Sequence, residues 1–597
     1  MSTRFKSSRK FSAAIAASAA AALVLAGCTT NGGGDGDDNG DGDTGTSGTV
    51  TVATTNAANS LNGATSDHNL NTNGMIDYLT GNGWGSSGPG TFLNTRANES
   101  AEIVSIRDET NGSFELLSED PLTVQYTLNE NAVWSDGTEM SVDDMLLTWV
   151  INSGWFAGED ADGEPASYFS LAGSTAGLDT TDFPEIDREA RSLTITYDEP
   201  YVDWELVNML GKPAHVFADQ VDMTAEELTE FFTDAEPGYN NDETLEAIGS
   251  FFNNGYAITE MPSDEGILVA AGPYVVSDFV ANDGGYIEFS ANPNWQGDAP
   301  GVDTLIISFI GDASTQIQQL ANGEVDIIEP QADANTVQTL ESNGAEIITG
   351  DQLSYDHVDL SFRGVFEDQR IREAFLHTIP RQAILDAIVT PTNPEAEILN
   401  SQMYVPSNGD DYQAAIAVNG YEAFDEPDIE AARELLNGET PEVRILYAAD
   451  NPNRVNAFRL IQQSAEEAGF VIVDEGDPEW SPRLGSDDYD AAIFGWISPG
   501  VGFASLPQVW QTGGGGNYNN FSNADIDALV DESQTLIEDP ERMLEIMVEI
   551  DQITLEDAYG LPLFQSPGLV AHNGTVDGLL YNPNQTGVIH NILEWSI

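Results

Sequence analysis

Residues 123–150 read TVQYTLNENAVWSDGTEMSVDDMLLTWV. Val124, Tyr126 and Leu128 alternate with polar residues, the period of a half-buried strand. Ser135-Asp136-Gly137 supplies a turn. Ser141, with Asp144 three residues on, then forms a capping box for a helix that turns Met145, Leu146 and Trp149 inward. A strand, a tight turn and a capped helix in immediate succession predict α/β layers.

The same grammar continues on both sides. Strands are expected at 193–197, 286–289, 305–310 and 491–494, the last two as continuous apolar runs. Ser314 is expected to start a helix that turns Ile317 and Leu320 inward and stops at Asn322-Gly323. Asp428 opens another, with Ile429, Ala432, Leu435 and Leu436 inward and Asn437-Gly438 at its end. Asp539-Pro540 places a cap and a first-turn proline before Met543, Leu544, Met547 and Ile550 at helical spacing. No solenoid-like repeat and no second apolar run long enough to span a bilayer occurs.

With 597 residues the chain has room for several structural units, and 41% hydrophobic residues with 9% aromatics make it a folded protein despite a net charge of −81. One hundred acids stand against 19 bases. That balance excludes a nucleic-acid partner and a polybasic membrane patch, both of which need clustered Lys and Arg. The single cysteine, Cys28, excludes a disulfide framework, a cysteine zinc cluster and an iron–sulfur site. Uncompensated acids of this kind resemble the surfaces of salt-adapted proteins, in which dissolved ions screen the repulsion.

Residues 1–28 read MSTRFKSSRKFSAAIAASAAAALVLAGC: four bases, a short apolar run over 11–26, then Leu25-Ala26-Gly27-Cys28. The run has the charge order of a secretory signal and is too short to span a bilayer. Its end resembles a bacterial lipobox, which implies cleavage before Cys28, lipidation of its sulfur and anchoring at the outer face of the cell membrane. The glycine- and aspartate-rich segment 28–48 is expected to be a flexible acidic tether. Asp35-Gly-Asp37-Asp-Asn39-Gly40 imitates half a calcium loop, but Thr46 stands where the twelfth-position glutamate belongs.

No catalytic signature emerges. The six histidines (His68, His215, His357, His377, His572, His590) show no metal-ligand spacing, and neither a nucleophile elbow nor a phosphate-binding glycine loop ending in Lys is present. The reading is therefore a non-enzyme with no catalytic residue, no metal and no cofactor. An acidic hydrolase using a carboxylate pair stays open as an alternative, because so many acids leave any such pair undefined.

Five segments in order carry a family resemblance. They are residues 123–150; Ala271-Gly-Pro-Tyr274 running through Asn292-Pro-Asn-Trp295 to Leu320-Ala-Asn-Gly-Glu-Val-Asp326; Asp368-Gln-Arg370-Ile-Arg372-Glu-Ala374; Tyr489-Asp-Ala-Ala-Ile-Phe-Gly-Trp496 with Asn517-Tyr518 and Asp525-Ile-Asp527; and Leu561-Pro-Leu563 with Val576-Asp-Gly578. Together they resemble the family-5 extracellular solute-binding proteins, the oligopeptide and dipeptide receptors of ABC importers. The resemblance implies a two-lobed, periplasmic-binding-protein-like α/β fold of type II. It places the first lobe at 49–350 with an inserted subdomain at about 75–215, the second at 351–565, and a return to the first lobe at 566–597.

By the same resemblance the chain is a monomeric receptor that closes on a small peptide or another small solute and delivers it to an ABC permease and its ATPase. A signalling receptor of the same fold is a further alternative. Peptide receptors of this type carry an Asp soon after the Gly-Trp motif, where it pairs with the peptide ammonium; here no acid follows Gly495-Trp496 before Asp525. The expected ligand contacts are Trp496, Asn517, Tyr518 and Asn519 from the late loop, with Thr55 and Asn56 after the first strand. Arg363 is expected to pair with surface acids, with a ligand carboxylate as its alternative partner.

Overall fold

The run at 305–310 forms the strand Thr304–Phe309, and it alternates after all: Leu305, Ile307 and Phe309 are fully buried, whereas Ile306 and Ser308 are only half-buried. It belongs to a ten-stranded mixed sheet. The computed structural model describes residues 48–597 apart from 83–87, 160–162, 164, 174, 176, 331, 499–500 and 585. The segment read as a signal, Cys28 and the tether up to residue 47 lie outside the described residues.

We number the strands of the main sheet β1 (Thr49–Thr54), β2 (Tyr274–Val280), β3 (Tyr286–Ala291), β4 (Thr304–Phe309), β5 (Ile327–Ile328), β6 (Glu346–Leu360), β7 (Glu442–Ala448), β8 (Val471–Asp477), β9 (Ala491–Ile497) and β10 (Gly560–His572). Their spatial order is β2-β3-β4-β1-β5-β10-β6-β9-β7-β8. β1 runs parallel to β4 and β5, and β7 runs parallel to β8 and β9. The two long central strands, β6 and β10, are antiparallel and pair in two blocks. Glu346–Asp351 pairs with residues from His572 back to Pro567, and the register then shifts between Asp351 and Tyr355 before pairing resumes at Tyr355–Gln565. These two strands pass from one half of the sheet to the other.

Separate cores flank that passage. One joins Val50, Val52, Ile287, Phe289 and Ile307 to the aromatic cluster of the 123–150 segment, including Tyr126, Trp134 and Trp149. Another gathers Ile445, Ile461, Ile493 and Leu561. A third packs Ala97 and Ile103 of a hairpin against Tyr404, Tyr412 and Trp510. Buried aromatic payload of this size is what stabilises each layer, since each such side chain removes roughly 150 Å² or more of surface from water.

The 123–150 segment folds as the sequence predicts. Leu122–Leu128 is a strand of a four-stranded antiparallel sheet, and the helix Val142–Ser153 carries the full capping box. The capping carboxylate also serves tertiary structure: Asp144 accepts hydrogen bonds from Ser141 N and Ala214 N, each at 2.7 Å, and from Trp134 Nε1 at 3.3 Å. Burial nevertheless pushes its carboxyl up to about 6. Helices opened by Asp428 and Asp539 occur with those caps. The helix expected from Ser314 starts one residue earlier, at Ala313, and its cap is Asp312, which accepts from Thr315 N at 2.8 Å. A carboxylate two residues upstream offered the same geometry and prevailed.

A minority of the acids find a cation. Arg542 bridges Glu532, Glu545 and Glu549, and Arg483 bridges Glu475, Asp477 and Asp488. These six acids are held in clusters around single arginines, while with 100 acids against 19 bases most of the others have no cation to pair with. Lys212, like Arg372 and Arg381, is a base drawn into the interior. It is buried, donates to Leu61 O at 2.5 Å and Asp77 Oδ1 at 3.2 Å, and lies 4.9 Å from the Tyr256 ring centre. Burial pushes the Lys212 ammonium down and the Asp77 carboxyl up, with their mutual attraction opposing both shifts. The backbone carbonyl and the tyrosine face supply the further contacts that a buried pair requires.

Candidate functional site

The interruption in the β6–β10 ladder leaves a cavity of about 460 Å³. The C-terminal ends of β1, β5 and β9 converge on it, contributing Thr54 and Thr55, Glu329 and Pro330, and Ile497 and Ser498. The carboxyl ends of strands are the usual place for ligands in open α/β sheets, because exposed backbone donors and loop side chains collect there. Gln352, Leu353 and Ser354 enter from the stretch of β6 that leaves the β10 ladder, and Tyr581, Asn582 and Asn584 close the far side.

One carboxylate faces this space. Glu329 accepts a hydrogen bond from Val588 N at 3.1 Å, and burial pushes its carboxyl up to about 7. Gly587, at φ 61°, lets the backbone approach closely: a Cβ there would fall 2.4 Å from Glu329 Oε2. Tyr581 lies over the central strands at a glycine pair. Gly350 faces Gly568 across the ladder, and a Cβ on Gly568 would fall 1.7 Å from the Tyr581 hydroxyl oxygen.

A second pocket, of about 120 Å³, adjoins the first through Ile497 and Ser498. Its walls are apolar and aromatic, including Tyr355, Met403, Tyr404, Trp496, Phe503 and Trp510. Trp496 is held by a parallel stack with Tyr518, 5.9 Å between ring centres at 8°, and lies parallel to His357 at 6.3 Å.

The expected contacts divide accordingly. Trp496 lines the apolar pocket and Thr55 the polar cavity. Tyr518 backs Trp496 and is in neither wall. Asn517 braces its own loop, donating to Gln511 O and Phe521 O and accepting from Phe521 N. Asn519 is buried, with its carbonyl accepting from Phe362 N and its side chain from Phe521 N. Asn56 is exposed, and its carbonyl accepts from Thr72 Oγ1 at 2.8 Å. Arg363 pairs with Asp487 at 2.9 Å and donates to Ser361 and to the carbonyls of Gly485 and Ser486, a surface role as expected.

Sequence reasoning missed Glu329, Gln352, Tyr581 and Asn582. It also missed Asp203, whose carboxylate accepts from Phe503 N and Ala504 N, each at 2.8 Å, and so joins segments 300 residues apart. Trp204, next to Asp203, is buried in the first core, while Phe503 packs on the third. Among the described residues no group of acids, histidines or cysteines is arranged to hold a metal ion.

A family described as bacterial extracellular solute-binding proteins, family 5 Middle, matches residues 113–518. The chain belongs to this family. Among relatives of this family 5 protein, an uncharacterized lipoprotein of Mycobacterium tuberculosis is 24% identical over 517 residues, spanning 82% of this chain and 85% of that one. The oligopeptide-binding protein OppA of the same species is 26% identical over 483 residues, spanning 78% and 72%.

Solved structures share the fold. The periplasmic EDTA-binding protein EppA superposes with a TM-score of 0.72 at 21% identity, covering 93% of this chain and 97% of its own. The oligopeptide-binding protein AppA of Bacillus subtilis, in complex with a nonapeptide, gives 0.60 at 16%, covering 92% and 99%. The family 5 protein thus has the two-lobed type II fold, and membership places it among extracellular solute-binding proteins.

Proposed function

We propose that this chain is a lipid-anchored extracytoplasmic receptor that closes on an oligopeptide-like ligand and delivers it to an ABC permease and its ATPase. The observation that carries the reading is the joining of two unlike spaces at Ile497 and Ser498. One is a cavity of about 460 Å³ whose walls mix amides and hydroxyls with apolar side chains, suited to a peptide backbone, and the other is an aromatic-lined pocket of about 120 Å³ suited to an apolar side chain. The oligopeptide-binding OppA relative and the nonapeptide complex of AppA support a peptide.

In this reading the first lobe spans 49–350, including an inserted subdomain at about 75–215, the second spans 351–565, and 566–597 returns to the first. Residues 1–27 are removed, Cys28 carries the lipid, and 28–48 is the tether. Trp496 and Thr55 contact the ligand directly, with Tyr518, Asn517 and Asn519 holding the late loop in place and Asn56 holding the start of the first. No Lys, Arg or His lines either space among the described residues, which weighs against an anionic chelate of the kind EppA is named for.

Tryptophan fluorescence and small-angle scattering with a degenerate pentapeptide mixture test the proposal. Spectral change and compaction are expected. An absence of both across the mixture would remove the peptide and leave the family fold intact.

A further inference from the structure

Glu329 is the one charged residue lining the cavity between the lobes, where every other wall residue is uncharged. It follows β5 directly, a two-residue strand held between parallel β1 and antiparallel β10. Its position is therefore fixed by the centre of the sheet and not by a surface loop. One oxygen is engaged by Val588 N, and Gly587 packs against the other. Among the described residues no Lys, Arg or His lies within ion-pair distance of Glu329.

A half-buried carboxylate with one backbone donor and no cation is an incompletely matched charge, since a carboxylate has room for several donors. Burial holds its carboxyl at about 7, so at neutral pH the group is poised for whichever partner stabilises the ionised form. The loop after Gly495-Trp496, meanwhile, offers no acid before Asp525. The cavity thus contains a single carboxyl group, and it sits on the opposite lobe from that loop.

We infer that Glu329 is the counter-charge for a primary ammonium of the bound ligand, the free amino end of a peptide, so that the ligand's N-terminus is held by the first lobe at the end of β5. This rests on the peptide-receptor reading and adds a direction to it. With its amino end at Glu329, the chain of the ligand extends past Ile497 and Ser498, and a following side chain enters the aromatic pocket. Gln352, a neutral amide on the same walls, suits the peptide groups between.

The test titrates a degenerate mixture of unblocked pentapeptides built from uncharged residues, and the N-acetylated form of the same mixture, into the wild-type protein and into Glu329→Gln by calorimetry at neutral pH. The wild type is expected to bind the unblocked mixture about tenfold or more tightly than the acetylated one, the typical worth of a charge-assisted contact. In Glu329→Gln that preference is expected to vanish while the acetylated mixture binds as before. Equal wild-type affinity for both mixtures overturns the counter-charge and spares the receptor. A preference that survives in a folded Glu329→Gln overturns the assignment to this residue. Binding of neither mixture overturns the peptide reading and this inference with it. Should the variant fail to fold, Glu329→Asp, which keeps the charge, is compared with the wild type instead: a preference retained in Glu329→Asp supports the counter-charge, and equal affinities overturn it.

Discussion

Asp203 is the contact through which closure of the lobes is most directly measurable. Its carboxylate takes hydrogen bonds from two successive backbone amides, Phe503 N and Ala504 N, some 300 residues further along the chain. Gly502, at φ 90°, makes room for it, since a Cβ there would lie 2.7 Å from Asp203 Oδ2. Asp203→Ala leaves both amides to water when the lobes part and without a partner when they meet. Hydrogen bonds to a charged group contribute ~1.5–3 kcal/mol each. Burial of Asp203 opposes part of that gain, as the upward push on its carboxyl shows.

A net loss of about 2 kcal/mol for the pair follows, which shifts the ratio of closed to open molecules by roughly 30-fold. The assay is small-angle scattering of the wild type, Asp203→Ala and Asp203→Asn with and without peptide, paired with calorimetric affinities. The alanine variant is expected to scatter as a more open particle and to bind more weakly by up to about 30-fold, with asparagine, which keeps one acceptor oxygen, between the two. Scattering and affinity indistinguishable from wild type would show that the contact contributes nothing to closure.

Further outcomes follow from other sites. Burial holds the His590 imidazole down at about 4, so its contribution to stability is complete above about pH 6.5 and is lost as pH falls from there through 4. The cost is about 3 kcal/mol. His590→Gln should remove that part of the slope, measured as the wild-type-minus-variant difference in denaturation free energy, and a difference constant with pH would count against it. Gly568→Ala drives a methyl into the Tyr581 ring and should cost ~1–3 kcal/mol by overpacking as well as weaken peptide binding; an unchanged denaturation midpoint would show that the ring moves freely. With 100 acids and 19 bases, melting temperature should rise between low and molar NaCl, and a flat or falling profile would refute the screening argument.

What the sequence discloses is local. Residues 123–150 announce a strand, a turn and a capped helix because each signal lies within a few residues of its partner, and Asp428 and Asp539 announce their helices for the same reason. Ser314 misleads because Asp312 satisfies the same capping geometry. The aromatic character of Trp496 and Tyr518 is legible, but their mutual stack is not, since it depends on how the late loop returns to β9. Asn517 and Asn519 look like contacts by type and turn out to hold the loop's own backbone, the ordinary work of asparagine in turns. Glu329 and Asp203 are hidden by the composition. Among so many acids, only the end of a two-residue strand and a chain separation of 300 residues set them apart.

The burial of Lys212 has a practical consequence. It is the sole lysine among the described residues, and its side chain is 1% exposed. The folded surface of those residues therefore offers no lysine to acylating labels, aldehydes or lysine-directed crosslinkers. Such reagents would leave the two lobes unmarked while the protein is folded, and acylation at Lys212 would report unfolding. The peptide ligand proposed above would bring an amine of its own, and its protection from the same reagents would register loading without any tag on the receptor.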